Sequence, residues 1–254
     1  MFINKSWFYF YRDELPEWQC PTCGKASLGL NSEELHVHYS GETANLRASD
    51  DFDADWVKYR FSAVLRCSNR RCNEVVTMVG DGHVEQEHLP NEKGQWESAY
   101  RDCLQPSFFE PCLIPISIPE NTPADVRTSL DRSFSLIFAN RDAAANQLRV
   151  ALEVLLDEQD VKARDTKGEL LRLGVRIKDH LQGDLLKYKD RLSAIQWIGN
   201  DGSHGNGAIT VRDLLAGLEL IESVLIALYP STTPDLDELA RGMIEKKKPK
   251  KTEG

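Results

Sequence analysis

The sequence predicts an α+β protein in which a β-rich N-terminal half precedes an all-helical C-terminal half. Two close pairs of cysteines in the first half lie beside segments rich in β-branched and aromatic residues. In the second half the apolar residues instead recur every three or four positions, as on the buried face of a helix. We therefore predict a β domain over 1–104, an extended linker over 105–121, a helical bundle over 122–230 and a tail over 231–254.

Composition and charge limit the possible functions. The 254 residues are 41% hydrophobic and 28% charged, with a formal net charge of −9, as in a soluble globular protein. No window approaches the roughly 18 consecutive apolar residues of a membrane span, and the aromatic N-terminus lacks the regions of a secretory signal. We expect a cytoplasmic protein with no membrane partner. Its acidity also argues against coating of nucleic acid, which needs many cations to neutralise phosphates.

Four cysteines have the spacing of a metal site. Cys20 and Cys23 are followed by Gly24, which allows the tight turn that points backbone N–H groups at sulfur. Cys67 and Cys72 lie between two strand-like segments. In a cytoplasmic chain such pairs indicate a metal site rather than disulfides. We predict a zinc ribbon that holds one structural Zn²⁺ per chain, closed by four thiolates.

Other cysteines and histidines leave alternatives open. A histidine could replace one cysteine of the cluster, and this would matter if the ion kept an open position. The candidates are His36, His38, His83 and His88. Cys103 and Cys112 have no flanking knuckle, and we expect them to be small apolar core residues rather than extra ligands.

The linker and the helices are predicted from proline and from apolar spacing. Four prolines between positions 105 and 120 disfavour a helix or a central strand, so this segment should be extended and packed on the domain surfaces. Thr122 and Thr210 each precede an Asp by three residues, a capping pattern at a helix N-terminus. Five helices are predicted. The first covers about 122–139, the second includes 148–155, and the others cover about 168–181, 184–198 and 210–229. The Lys-rich end of the tail is predicted to be disordered, with a phosphate-binding arm as the alternative.

Two polar pairs interrupt the apolar pattern of the helices. Arg149 and Glu153 are four residues apart, and so are Asn200 and His204, which places each pair on one helix face if the helix continues. One interpretation is an ordinary ion pair and a Gly-rich loop. The other is a buried cluster of all four side chains, with His204 available for proton transfer near neutral pH.

The order of these motifs resembles the bacterial family called domain of unknown function 4145, over residues of about 105–230. Many of its members also carry an N-terminal Cys-Pro-x-Cys-Gly ribbon. The resemblance implies a HEPN-like helical bundle that dimerises and occurs in bacterial restriction, toxin and antiphage-defence systems. It rests on the Pro-rich lead-in Phe108-Phe109-Glu110-Pro111, on Leu148-Arg149 with Leu152-Glu153, and on Ile198-Gly199-Asn200 with Ser203-His204.

The resemblance also bears on catalysis. Active HEPN ribonucleases are metal-independent and use an Arg a few residues before a His, but positions 197–199 hold Trp, Ile and Gly. The guanidinium expected to steady the scissile phosphate is therefore missing. We expect a non-catalytic binding or accessory module, a homodimer that recognises RNA, DNA or a defence-system protein. Two alternatives stay open: an endoribonuclease with catalytic His204, Asn200 and Arg149, and a purely structural adaptor.

Overall fold

The computed structural model describes residues 5–12, 14–90, 94–204, 209–230, 241 and 243–244. Overall the chain is α+β, as predicted. The strands are β1 (Phe10–Tyr11), β2 (Leu28–Tyr39), β3 (Lys58–Cys67), β4 (Val75–Pro90) and β5 (Trp96–Glu110). The helices are α1 (Gly41–Leu46), α2 (Ala124–Phe134), α3 (Arg141–Glu158), α4 (Leu173–Asp179), α5 (Lys189–His204) and α6 (Val211–Leu228). The Lys-rich end of the tail, 246–251, lies outside the described residues.

The prediction of a zinc ribbon for the N-terminal half is wrong. The strands form one antiparallel half-barrel sheet in the order β1-β5-β4-β3-β2. The chain between the two cysteine pairs forms the strands β2 and β3 of this sheet, with the short helix α1 between them. Alternate residues of β3, among them Tyr59, Phe61 and Leu65, are buried on one face. The N-terminal half is therefore built around an extended sheet with a buried apolar face, and not around two cysteine knuckles joined by short strands.

An aromatic cluster fills the concave side of the sheet. Trp7 and Trp18 are fully buried. The ring of Phe10 packs edge-on against Trp18 and against Phe61, with ring centroids 5.6 Å apart in both pairs. Trp18 in turn meets Phe109 of β5 at 5.2 Å. These side chains bring the N-terminal segment and the last strand into one core.

The predicted linker begins as a strand. β5 runs to Glu110 and pairs with β4 over its whole length, so residues 105–110 belong to the sheet. Pro106 is tolerated because β1 pairs with β5 only at positions 103 and 104, and beyond them β5 has no further neighbour on that side in the described residues. A bulge beside it shifts the register between Val79 and Gly80. The remaining segment packs as expected, since Leu113 and Ile116 are buried.

One hydrophobic core continues from the sheet into the helices. Phe138, which follows α2, lies against Phe8 at 5.2 Å and against Phe109 at 4.8 Å. The backbone N–H of Ser117 donates to the buried carboxylate of Glu222 at 2.7 Å.

In the described part of the chain, no helix is both long enough and apolar enough to cross a membrane.

The capping predictions had different outcomes. At α6, the Thr210 hydroxyl accepts the N–H of Asp213 and the Asp213 carboxylate accepts the N–H of Thr210, so the predicted capping box is confirmed. At α2 the prediction is wrong, because Pro123 occupies the cap position and the Thr122 hydroxyl has no hydrogen-bond partner among the described residues. The third predicted helix, 168–181, corresponds to α4, which begins only at Leu173. The preceding residues form a turn in which the Asp165 carboxylate accepts backbone N–H groups.

Thr210→Ala should lower the free energy of unfolding by about 1 kcal/mol, because the N–H of Asp213 at the start of α6 loses the hydroxyl that accepts it. Urea unfolding followed by circular dichroism measures this loss. Thr128→Ala is the matched control, since that hydroxyl is exposed and donates only to the carbonyl of Ala124 within α2. An equal effect of both substitutions would contradict a specific role of the cap.

Candidate metal centre and helical groove

The four predicted cysteine ligands converge at one end of the sheet. Cys20 and Cys23 precede β2, Cys67 is the last residue of β3, and Cys72 lies in the turn to β4. The Sγ atoms of Cys20 and Cys72 are 3.8 Å apart, and those of Cys23 and Cys67 are 3.7 Å apart. All four sulfurs lie within 4.8 Å of one another. The cluster could hold one metal ion, and among the described residues no histidine joins it.

The sulfur spacing fits a tetrahedral centre. Four thiolates about 2.3 Å from a central ion lie about 3.8 Å from one another. The two measured distances agree with that edge length. They are too long for a disulfide, whose S–S bond is about 2.05 Å, and all four cysteines are free thiols. The arrangement could therefore hold one metal ion.

Each cysteine pair ends in the same backbone turn. Gly24, directly after Cys23, has φ of 56°, and Asn73, directly after Cys72, has φ of 51°. Both are left-handed conformations, which Gly and Asn adopt more readily than other residues. The turn lets the N–H two residues after each of these cysteines donate to its sulfur. Gly24 indicated this turn in the sequence. Asn73 was not predicted to form the second one, although an Asn directly after a ligand cysteine favours the same left-handed turn.

Hydrogen bonds hold the two cysteine loops together without an ion. The N–H of Ser68 donates to the carbonyl of Ser27 at 3.0 Å. The hydroxyl of Thr22 donates to the carboxylate of Glu74 at 2.5 Å, which lowers the pKa of that carboxylate. In the second loop, the carbonyl of Asn69 accepts the N–H groups of residues 72 and 73. These hydrogen bonds therefore help to hold the four sulfurs close together.

The electrostatics of the cluster favour a dication. The backbone N–H of Lys25 lowers the pKa of Cys23 to about 6. Burial raises the pKa of Cys67 to about 12. At neutral pH the free cluster therefore cannot carry four thiolates, because like charges so close together oppose each other. A divalent ion would stabilise all four thiolates, and its binding would release protons.

The helical half contains a groove at the predicted polar residues. Arg149 and Glu153 of α3 and Asn200 of α5 line a cavity of about 540 Å³, whose other wall includes residues 170–174. The Arg149 guanidinium donates to Glu153 at 2.6 Å and to the amide oxygen of Asn146 at 3.4 Å. The helix does continue through position 200, as α5 ends at His204. The side chain of His204 lies outside the described residues, so its place in this cluster stays a prediction.

Gly199 allows α3 and α5 to approach closely beside this groove. A Cβ at Gly199 would lie 2.5 Å from Cβ of Arg149 and 3.0 Å from the carbonyl oxygen of Ala145. Only glycine fits such a contact without movement of a helix. The glycine that made the helix uncertain in the sequence is therefore part of the helix packing that brings Arg149 to Asn200.

Arg176 is a groove residue that the sequence analysis missed. It is only 5% exposed, and its guanidinium donates to the carboxylate of Asp157 at 2.6 Å and to the carbonyl of Val161 at 2.9 Å. An Arg beside Ile177 at an apolar position of α4 carries no clear signal in the sequence. Its partners come from the end of α3 and the loop after it, so the ion pair fixes one wall of the groove.

The fold and its centres define an α+β protein that joins a four-cysteine half-barrel to a set of helices. Residues 8–109 match a family described as Domain of unknown function (DUF8608), which spans the sheet. Residues 131–250 match Domain of unknown function (DUF4145). The second match confirms that part of the resemblance seen in the sequence. No match was found among curated proteins or among solved structures.

Proposed function

We propose that the protein is a zinc-stabilised binding module whose helical groove recognises a partner protein. Four thiolates favour Zn²⁺, because Mg²⁺ and Ca²⁺ prefer oxygen ligands and most other divalent ions are less available or redox-active. With four protein ligands the centre would keep no position for water, so the ion supports the fold and takes no part in catalysis. The recognition surface is then the groove in the helical half.

The observation that carries this proposal is the ion pair between Arg149 and Glu153 in the groove. Its guanidinium is held by Glu153 at 2.6 Å, and a second carboxylate, Asp157, pairs with Arg176 on the same groove. An RNA strand would bring phosphates next to these two carboxylates, which would repel them. With Arg172, the groove carries three guanidinium groups and two carboxylates, and these mixed charges suit a protein that presents both acidic and basic side chains.

Exposed apolar side chains beside the groove support a protein partner. Leu170 lines the groove and is 73% exposed, and Trp197 on α5, the helix that contributes Gln196 and Asn200 to the groove, is 64% exposed. Large apolar and aromatic side chains next to charged pairs are typical of the energetic centres of protein interfaces. The proposal includes the homodimer and the bacterial restriction, toxin or antiphage setting that the resemblance implies.

Charge reversal in the groove tests the proposal. Immobilised wild-type protein, Arg149→Glu and Arg60→Glu would be exposed to extract of the native cells, and retained proteins quantified by mass spectrometry. Arg60 is the matched control, because it forms an exposed ion pair with Asp81 on the sheet. A partner kept by wild type and Arg60→Glu should bind Arg149→Glu at least about tenfold more weakly in purified form. A structural adaptor would instead show a lower melting temperature and unchanged partner binding.

The endoribonuclease alternative has its own test. RNA is incubated with wild type and with His204→Ala, in EDTA and with zinc content and folding verified for both proteins. We expect no cleavage by either, since Glu153 compensates the charge of the Arg149 guanidinium that would have to stabilise the phosphate. Cleavage by wild type alone would contradict the binding module and identify His204 as catalytic, and RNA retention without cleavage would favour nucleic acid over protein.

A further inference from the structure

A second group of metal-binding side chains lies on the sheet, far from the four cysteines. His83 of β4 pairs with Lys58, the first residue of β3, whereas Cys67 is the last residue of that strand. Ten residues of β-strand separate the two places by about 30 Å. Whatever binds here is therefore independent of the four-cysteine centre.

Sheet geometry brings three different ligand types together. His83 and Glu85 are two residues apart on β4 and so share a face. Cys103 of β5 lies directly opposite His83 in the strand register. The His83 Nε2 is 3.1 Å from Glu85 Oε1, and the nitrogen, the oxygen and the sulfur all lie within 4.8 Å of one another.

We propose that His83, Glu85 and Cys103 bind a divalent first-row transition ion, Zn²⁺ foremost, with one coordination position open to solvent. Imidazole, carboxylate and thiolate are the three side-chain ligands of zinc, and three protein ligands with a water in fourth place are the pattern of an open zinc site. One thiolate and one carboxylate would balance the charge of the ion.

Burial indicates where the open position lies. Cys103 is 1% exposed, while the side chains of His83 and Glu85 are each 40% exposed. An ion between them would thus have the thiolate beneath it and solvent on the other side. This differs from the four-cysteine centre, where protein sulfurs fill every position of a tetrahedral ion.

Neighbouring residues orient the carboxylate for this role. The hydroxyl of Tyr11 donates to Glu85 Oε2 at 2.9 Å, which leaves Oε1 directed at His83. Such an outer hydrogen bond is typical of carboxylates that ligate metals. The Arg101 guanidinium lies over the Tyr11 ring at 3.7 Å, and the carboxylates of Glu87 and Glu14 compensate its charge at 3.5 Å and 3.6 Å. Arg101 therefore does not oppose an incoming dication with an uncompensated charge.

Zinc stoichiometry and a cobalt spectrum test the site in the full chain. Wild type saturated with Zn²⁺ and passed through a desalting column should retain two ions per chain. His83→Ala and Glu85→Gln should retain one, and Tyr11→Phe should bind the second ion about tenfold more weakly. Co²⁺ added to protein with one zinc should give a thiolate-to-cobalt absorption band. Cys103→Ala should lack this band and Cys112→Ala should keep it, since Cys112 lies outside the group.

The two half-exposed ligands make the test independent of folding, because His83→Ala and Glu85→Gln remove no core side chain. One ion per chain in folded wild type would overturn the proposal. A second ion that persists in His83→Ala and in Glu85→Gln would also overturn it, because the ion would then be bound elsewhere. Loss of the second ion in these variants with its retention in Cys112→Ala would establish the site.

Discussion

Removal of the ion from the four-cysteine centre is expected to destabilise the half-barrel strongly. Structural zinc contributes about 10–16 kcal/mol of binding free energy, which is as large as the roughly 5–15 kcal/mol that stabilises a typical domain. The buried apolar residues of the sheet remain in place, but the four close sulfurs beside β2, β3 and β4 would lose the ion that joins them. Cys23→Ser should have the same effect as chelation.

Tryptophan fluorescence and thermal unfolding measure this effect. Trp7 and Trp18 are fully buried beside the sheet, so their emission should shift to longer wavelength when the half-barrel opens. The melting temperature should fall by at least 10 °C, which corresponds to a loss of about 2 kcal/mol or more. Cys112→Ser is the control, since this cysteine lies outside the cluster. An unchanged melting temperature after verified metal loss would show that the centre does not support the fold.

Gly199→Val should have the second large effect. Even the first atom of the new side chain would lie 2.5 Å from Cβ of Arg149 and 3.0 Å from the Ala145 carbonyl oxygen. Neither atom is the flexible end of a side chain, so α5 must move away from α3. We expect a loss of about 3 kcal/mol in the free energy of unfolding, larger than the gain of under 1 kcal/mol from replacing a helical glycine.

Urea unfolding measures the cost of Gly199→Val against a matched substitution. Gly41→Val is the control, because a Cβ at Gly41 meets no atom within 4 Å; its effect should stay within about 0.5 kcal/mol. Partner binding should weaken with Gly199→Val as well, since Arg149 and Asn200 line the same groove. Equal stability of the two variants would contradict the close contact of α3 and α5.

Local patterns in the sequence predicted the four-cysteine cluster and most helices. Close cysteine pairs and Gly24 are signals within a few residues, because a thiolate ligand requires a particular backbone turn next to it. α6 was equally clear, since its apolar stripe and the Thr210 cap both lie within one segment. α4 was placed too early, because a turn at Asp165 replaces the first part of the apolar pattern.

Long-range contacts explain why β2 and the end of β5 were not predicted from the sequence. β2 contains the polar run Asn-Ser-Glu-Glu at 31–34, and β5 contains Pro106, so neither segment has the composition of a strand by itself. β2 pairs with β3 on both sides of that polar run, and β5 pairs with β4 through Pro106, so antiparallel partners supply the hydrogen bonds. The closeness of Arg149 to Asn200, and of Cys103 to His83, likewise depends on helix packing and on strand register.

X-ray absorption at the zinc edge, with metal quantification, tests most directly the claim that a zinc centre of four thiolates organises this protein. The His83→Ala protein is suited to it, because in our account it retains the four-cysteine centre alone. We predict one zinc per chain with four sulfur neighbours at about 2.3 Å. Zinc well below one per chain, or nitrogen and oxygen neighbours in place of sulfur, would contradict the account.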